Sequence, residues 1–465
     1  MKIKFSISFL TGLVVALPMF GQNIDSSSFD QYIQNAVKQY DIPALSVSLT
    51  NEEGAIFSKA YGVTNLEEPK DANTKTVFAI ASLSKAFTAA AIGILVDDGK
   101  LSWNDRVVDH LPYFKLKDTV VSNRMTMVDL LSHRSGFITF DGDLLWYATD
   151  YSREEIIKRI AERELTYDFR TEYGYQNIMF IVAGEIIPAV TGKSWEEFVK
   201  ERILQPLKMT STYTDIRDFP ENVNLAMPHV NGALDVLRSY SNSGGAAALN
   251  SNVEDLSKWI RMWLNEGIVD GDTILQPQTV TRLLKLTTPI GPSAFEKSHG
   301  IDFDGYALGW HVMEYEGEKV ASHGGGLPGY ISKIFIVPSK KVGGVVLTND
   351  VSSLPHAMMY KSLDVLLNKE NPTDWAALYY SFKRRYEERL AKKQEEINTG
   401  RKTGTKSSLN LKNYAGTYED VLYGKSKIEW KDGKLFLTML PTKEVFTGEL
   451  KHWENDRFEI KFKDI

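Results

Sequence analysis

Phe78-Ala79-Ile80-Ala81-Ser82-Leu83-Ser84-Lys85-Ala86-Phe87-Thr88-Ala89-Ala90-Ala91-Ile92-Gly93-Ile94-Leu95-Val96 is the stretch on which the fold turns. The helix predicted from Leu83 to Asp97 is apolar around its whole circumference, so it belongs inside a core. Lys85 is the only charge in the run. Ser82 is the only serine in the chain with a lysine three residues on, and that spacing stacks two side chains on one helix face with Cβ atoms about 5–6 Å apart. A buried lysine is costly unless paired, and desolvation lowers its pKa, as a base for a neighbouring hydroxyl requires. A lysine snorkelling from a core helix beside an ordinary serine gives the same pattern, so the motif needs company.

Outward from that helix the chain alternates in character. Phe29, Ile33, Val37 and Tyr40 predict an amphipathic first helix. Ala44 to Thr50 and Ala55 to Tyr61 predict a strand pair around Glu52-Glu53-Gly54. A second hairpin is predicted from Tyr330 to Val337 and Val342 to Leu347, around Pro338-Ser339-Lys340-Lys341. Helices are predicted between them at Met127 to Ser132, Glu154 to Glu164, Asn177 to Val190, Trp195 to Ile203 and Val253 to Glu266, with a return helix at Leu354 to Leu367. The fold class is α+β: an antiparallel sheet built from both ends of the segment, flanked by helices, with a large helical subdomain.

Phe382 to Asn398 predicts a mixed-charge helix, and Thr399 to Ser408 a polar linker. Five short strand-like runs follow: Tyr414 to Tyr418, Lys425 to Trp430, Lys434 to Met439, Val445 to Leu450 and Phe458 to Phe462. They predict a small all-β meander, short of the about eight strands that usually close a barrel. The expected division is residues 1–21 signal peptide, 22–370 main domain, 371–408 charged helix and linker, and 409–465 β-meander.

Composition narrows the function classes. Lys plus Arg 54 against Asp plus Glu 60 gives a net charge of −6, the wrong sign for a surface that tracks phosphates, so nucleic acid is not an expected partner. The chain has no Cys, which excludes disulfides, thiolate metal sites and a cysteine nucleophile. Eight scattered His and no H-x-x-x-H pair argue against a metal site, and no cofactor is expected. Lys2 and Lys4 ahead of the apolar run from Phe5 to Phe20, followed by polar residues, read as an export signal. The expected location is periplasmic or secreted, with no stable membrane anchor after cleavage.

Two further elements keep company with Ser82 and Lys85. Tyr175-Gln176-Asn177 opens an apolar helix at a loop junction, and a phenol near a lysine can shuttle protons as a phenolate. Tyr240-Ser241-Asn242 repeats the Y-x-N pattern in a Ser/Gly-rich loop, where it reads as a decoy or a pocket-loop residue. His323-Gly324-Gly325, followed by Gly326, offers a glycine-rich backbone that can approach a substrate; a glycine-rich turn is the plainer reading. The loop Phe137 to Tyr147 is rich in aromatics, and Trp146 and Tyr147 read either as an exposed lid over an apolar group or as packing of the helical subdomain.

S-x-x-K, Y-x-N and H-x-G in this order, with Leu130-Leu131-Ser132-His133-Arg134-Ser135-Gly136-Phe137 and Val190-Thr191-Gly192-Lys193, resemble the serine β-lactamase and penicillin-binding-protein superfamily, in its class C-like, D-aminopeptidase/esterase branch. The resemblance implies Ser82 as the acylated nucleophile, Lys85 as its base, Tyr175 as the proton shuttle to the leaving group and Asn177 as a ligand of the substrate amide. It implies an oxyanion hole from the N–H groups of Ser82 and Gly326, with His323 and Gly325 beside it, and a structural role for His133. Where lactamases of this branch resemble Lys-Thr-Gly, this chain has His323-Gly324-Gly325, and its literal Lys402-Thr403-Gly404 falls in the polar linker. A partly charged histidine suits a β-lactam carboxylate less well than a lysine, so esters and small peptides are the expected substrates. The expectation is an exported serine hydrolase acting on a small-molecule or short-peptide acyl donor with water as acceptor. Transfer to a hydrophobic alcohol or amine, and a β-lactamase or covalent penicillin sensor, are the alternatives. The terminal meander resembles an appended lipocalin-like domain, a stabilising module or the contact of a homo-oligomer.

Overall fold

The sheet draws its strands from both ends of the main domain: one predicted hairpin comes from the N-terminal end, the other from the C-terminal end, and four strands between residues 288 and 327 that were not predicted extend it. In the computed structural model, which describes residues 25–462, it has eight strands: β1 (Ala44–Asn51), β2 (Ala55–Gly62), β3 (Thr288–Pro289), β4 (Asp304–Tyr306), β5 (His311–Tyr315), β6 (Glu318–Leu327), β7 (Tyr330–Val337) and β8 (Val342–Thr348). The signal peptide expected over residues 1–21 lies outside the described residues. The strand order is β2-β1-β8-β7-β6-β5-β4-β3, antiparallel throughout. β1 meets β8 with Leu45 opposite Thr348, and Thr348 Oγ1 donates to Ala44 O at 2.7 Å.

Alternation along the strands feeds two cores. Leu45, Val47, Leu49 and Val346 pack against α1 (Ser26–Tyr40) and the return helix, through Phe29, Ile33, Met358 and Leu363. Val345 and Leu347 face the other core, built around α2 (Ser84–Asp97), α3 (Asn177–Thr191) and α4 (Val253–Leu264). The return helix is α5 (Leu354–Leu366). Phe87 stacks on Trp259 at 4.0 Å between ring centroids, joining α2 to α4.

The structure corrects three expectations about elements. The charged helix starts at Trp375, not Phe382, as α6 (Trp375–Gly400). Asp374 caps it by accepting from Ala377 N, and buried Trp375 donates its Nε1 to Asp364 of α5 at 2.7 Å, so the first turn belongs to the main domain. His323-Gly324-Gly325 is no turn: it lies within the ten-residue β6, and the reversal comes later, at Gly329 with φ +76°. Thr399 and Gly400, expected in the linker, close α6; the linker itself is exposed from Arg401 to Gly404 and is tethered where Lys402 N donates to Glu454 at 2.7 Å and Ser408 Oγ to Asp456 at 2.9 Å.

The C-terminal region is an all-β half-barrel of five strands in sequence order: β9 (Gly416–Asp420), β10 (Gly424–Lys431), β11 (Lys434–Met439), β12 (Thr447–Glu454) and β13 (Arg457–Glu459). It docks on the helical subdomain. Tyr151 Oη donates to Tyr423 O at 3.1 Å, Asp150 N to Pro441 O at 3.3 Å, and the Tyr147 and Phe446 rings stand 6.1 Å apart.

Candidate active site

Ser82 sits in a 3-10 turn, Ala81–Leu83, that runs directly into α2. Ala81 holds φ +50°, a left-handed conformation uncommon for a residue with a Cβ. Such strain persists where the surroundings over-determine it, and here they do. Ser84 Oγ donates to Ala81 O at 2.7 Å, and Ser332 Oγ of β7 donates to Ile80 O at 2.8 Å. β6 presses on the same turn at Gly325, where a Cβ would stand 2.3 Å from both Ile80 O and Ser332 Oγ.

Lys85 is fully buried one turn on. Its Nζ donates to Ser82 Oγ at 3.0 Å, Asn177 Oδ1 at 2.6 Å and Ala246 O at 3.1 Å. Burial pulls its pKa down to about 7, against the opposing attraction of Asp143. Asp143 lies inside the aromatic-rich loop, and no local motif marks it. Burial pushes its pKa up, while donors from Trp146 Nε1 at 2.9 Å and Asn177 Nδ2 at 2.9 Å pull it down. An ionised carboxylate only accepts, so it turns the Asn177 NH2 toward itself and the Asn177 carbonyl toward Lys85. The same Nδ2 also reaches the second Asp143 oxygen, at 3.1 Å.

Tyr175 opens the loop-to-helix junction as expected. Its hydroxyl hydrogen-bonds to Ser82, and its ring centroid lies 4.8 Å from Lys85 Nζ. Burial drives its pKa far above the ordinary phenol value, which works against the standing phenolate foreseen from the sequence. Behind it, His133 accepts from Gln176 N at 3.0 Å and packs against Tyr175, Phe180 and Tyr306.

His323 is 4% exposed. Its Nδ1 lies 2.6 Å from Gly324 O and its Nε2 2.8 Å from Tyr306 Oη. A carbonyl only accepts, so Nδ1 carries the proton and Nε2 accepts from the phenol. Burial, then the Lys85 charge, push its pKa well below the ordinary histidine value. The ring is therefore neutral, where partial charge was expected.

Ser82, Tyr175, Asn177, His323 and Gly326 line one cavity of about 630 Å³. Trp146 and Tyr147 also line it, but Trp146 is only 6% exposed, because its N–H is drawn in to Asp143. The exposed apolar residues of the wall are Phe140 at 57% and Leu144 at 42%. Tyr240 does not line the cavity and backs Trp146 at 6.1 Å between rings, and Gly325 is walled off by its contacts with the Ser82 turn. Tyr306, Lys333, His311, His356 and Gly324 are also among the lining residues, and no local motif marks the first four.

A family described as Beta-lactamase matches residues 29–367, and one described as a domain of unknown function (DUF3471) matches residues 400–465. The unguisins hydrolase ungD' of Aspergillus campestris (strain IBT 28561) is 28% identical over 440 residues, covering 88% of this chain and 78% of that protein. Protein flp of Staphylococcus aureus (strain COL) is 26% identical over 334 residues, 70% of this chain and 64% of that protein. Among solved structures, the octameric penicillin-binding protein homologue from Pyrococcus abyssi superposes with a TM-score of 0.67 at 23% identity, covering 92% of this chain and 90% of that one. A D-stereospecific amidohydrolase from Streptomyces sp. superposes with a TM-score of 0.57 at 20% identity, covering 70% and 94%.

Proposed function

The chain belongs to the beta-lactamase family of serine hydrolases, and from that premise we propose that Ser82 forms an acyl-enzyme with an ester or small amide donor, which water then resolves. The observation that carries this reading is a buried Lys85, with its pKa near neutrality, 3.0 Å from the only S-x-x-K serine.

In the proposed sequence, neutral Lys85 takes the Ser82 proton as Oγ attacks the substrate carbonyl. The N–H groups of Ser82 and Gly326 receive the oxyanion. Tyr175 passes its hydroxyl proton to the leaving group and recovers one from the Lys85 ammonium, so no lasting phenolate forms. Water then attacks the acyl carbon as the Tyr175–Lys85 pair takes its proton, and the same pair returns a proton to Ser82 Oγ as the bond from the acyl carbon to Oγ breaks, releasing the acid. A neutral His323 in place of a lysine favours esters and small amides over β-lactams. The name of the unguisins hydrolase supports turnover over slow covalent sensing.

Fluorophosphonate labelling followed by intact mass tests the assignment. Ser82→Ala should abolish the adduct and cost several orders of magnitude in rate, and undiminished labelling would overturn it. A second reading, transfer to a hydrophobic alcohol or amine, draws on exposed Phe140 and Leu144 in the cavity wall. It fails if no such acceptor at millimolar concentration diverts acyl groups from water.

A further inference from the structure

β6 has an unusual edge. β5 pairs with it only as far as Ser322, so among the described residues no strand covers His323 to Leu327 on that side. Along this open edge the side-chain directions alternate. Gly325 faces the Ser82 turn, as its contacts with Ile80 and Ala81 show, and Gly324 therefore faces away. The catalytic cavity follows the edge round and takes in both faces, being lined by Ser82 on one and by Lys333 and His356 on the other.

Lys333 stands opposite Gly324 in the β6–β7 register, and His356 rises from α5. The Cβ that Gly324 lacks would lie 3.9 Å from Lys333 Nζ and 3.8 Å from His356 Nε2, in ordinary contact with both. Two nitrogens thus converge on a space that is open because the residue is glycine. Neither side chain makes a hydrogen bond or ion pair among the described residues. The acids that act on Lys333 do so from a distance: Asp304 sits 3.0 Å from His311 Nε2, and Glu296 caps a short helix with Ser293. Burial, against their attraction, leaves the Lys333 pKa at about 8, and burial, then the Lys333 charge, holds His356 neutral at about 3. A half-buried ammonium with no counter-ion and a neutral imidazole, whose ring N–H can donate, form a ready receptor for an anion.

We propose that Lys333 and His356, over Gly324, bind a carboxylate on the acyl donor, so that the substrates are acidic acyl esters or amides extended around the open edge of β6. The cationic role is thereby moved from the position of His323 to the neighbouring strand. This rests on the Ser82 acyl-enzyme reading, and the experiment separates the two.

Nitrophenyl mono-esters of dicarboxylic acids from succinyl to suberyl are compared with the same esters capped as methyl esters. The wild type should prefer the free acid at one chain length. Lys333→Gln should reduce the acid-to-capped ratio of kcat/KM about 10–100-fold, the usual scale of a lost charged hydrogen bond. Lys333→Arg should keep most of the ratio. Gly324→Ala, which fills the gap without removing charge, should also lower it. No preference at any length, or a ratio untouched by Lys333→Gln, overturns the proposal. If no ester of either kind is cleaved, the acyl-enzyme reading fails instead. Calorimetric binding of suberate to the wild type, weakened in Lys333→Gln, then decides the carboxylate site alone.

Discussion

Asp143→Asn removes one charge from behind Lys85 and leaves the shape of the side chain nearly intact. The two groups are joined through Asn177, whose Oδ1 accepts from Lys85 at 2.6 Å and whose Nδ2 reaches Asp143 at 2.9 Å. Across one amide the charges stand roughly 7 Å apart, which at an effective dielectric of about 20 amounts to about 2 kcal/mol, or between one and two pH units. Asp143 raises the Lys85 pKa and burial lowers it to about 7. The base must be neutral, so kcat/KM in the wild type should fall about tenfold per pH unit below about 7. Without Asp143 the lysine loses a proton more easily, and the acid limb should move down, to about pH 5–6. The plateau should fall as well, by about tenfold, because Asn at 143 can donate and no longer holds the Asn177 carbonyl toward Lys85. The assay is the pH dependence of kcat/KM on a neutral nitrophenyl ester. A limb that stays near 7, or moves upward, would refute the claim that Asp143 sets the charge of Lys85.

Two other outcomes follow from contacts at the rim of the site. Gly325→Ala should cost about 1–3 kcal/mol in urea unfolding and disable labelling of Ser82, since its methyl would overlap Ile80 O and Ser332 Oγ at 2.3 Å; full stability would show that β6 does not press on the serine turn. Phe446→Ala removes the ring that packs on Tyr147, so KM for bulky donors should change severalfold while the pH limb set by Lys85 stays put; an unchanged KM would separate the half-barrel from the cavity wall.

What the sequence disclosed was local. Ser82 and Lys85 are related by one helical turn, and Tyr175 and Asn177 by a loop entering a helix, so spacing pairs them locally and the resemblance joins the two pairs. Asp143 escaped notice because its meaning lies in Asn177, 34 residues away, and in the fold of a loop that reads as aromatic packing. Lys333 and Tyr306 depend on strand register: Gly324 meets Lys333 only once β6 pairs with β7, and Tyr306 meets His323 across β5. The three glycines of β6 have low strand propensity, which is why that strand reads as a turn until its neighbours supply the ladder. The early start of α6 was hidden for the opposite reason, since Trp375 and the residues after it are apolar and the charges that mark the helix come later.

Thr348 and Ala44, hydrogen-bonded between the second and third strands of the sheet, are 304 residues apart in the chain. That distance sets a clock on folding. At synthesis rates of about 5–20 residues per second, β1 and β2 exist for roughly 15–60 s before β8 has been made. Throughout that time the inner edge of β1 is an unpaired strand, with Leu45, Val47 and Leu49 lacking the α5 half of their cover, and offers itself to any other extended chain. Loop closure over such a span is slow, and the last strand of the main domain must arrive before the first can be sealed. Premature release of a truncated chain should therefore yield aggregates and not a smaller folded unit.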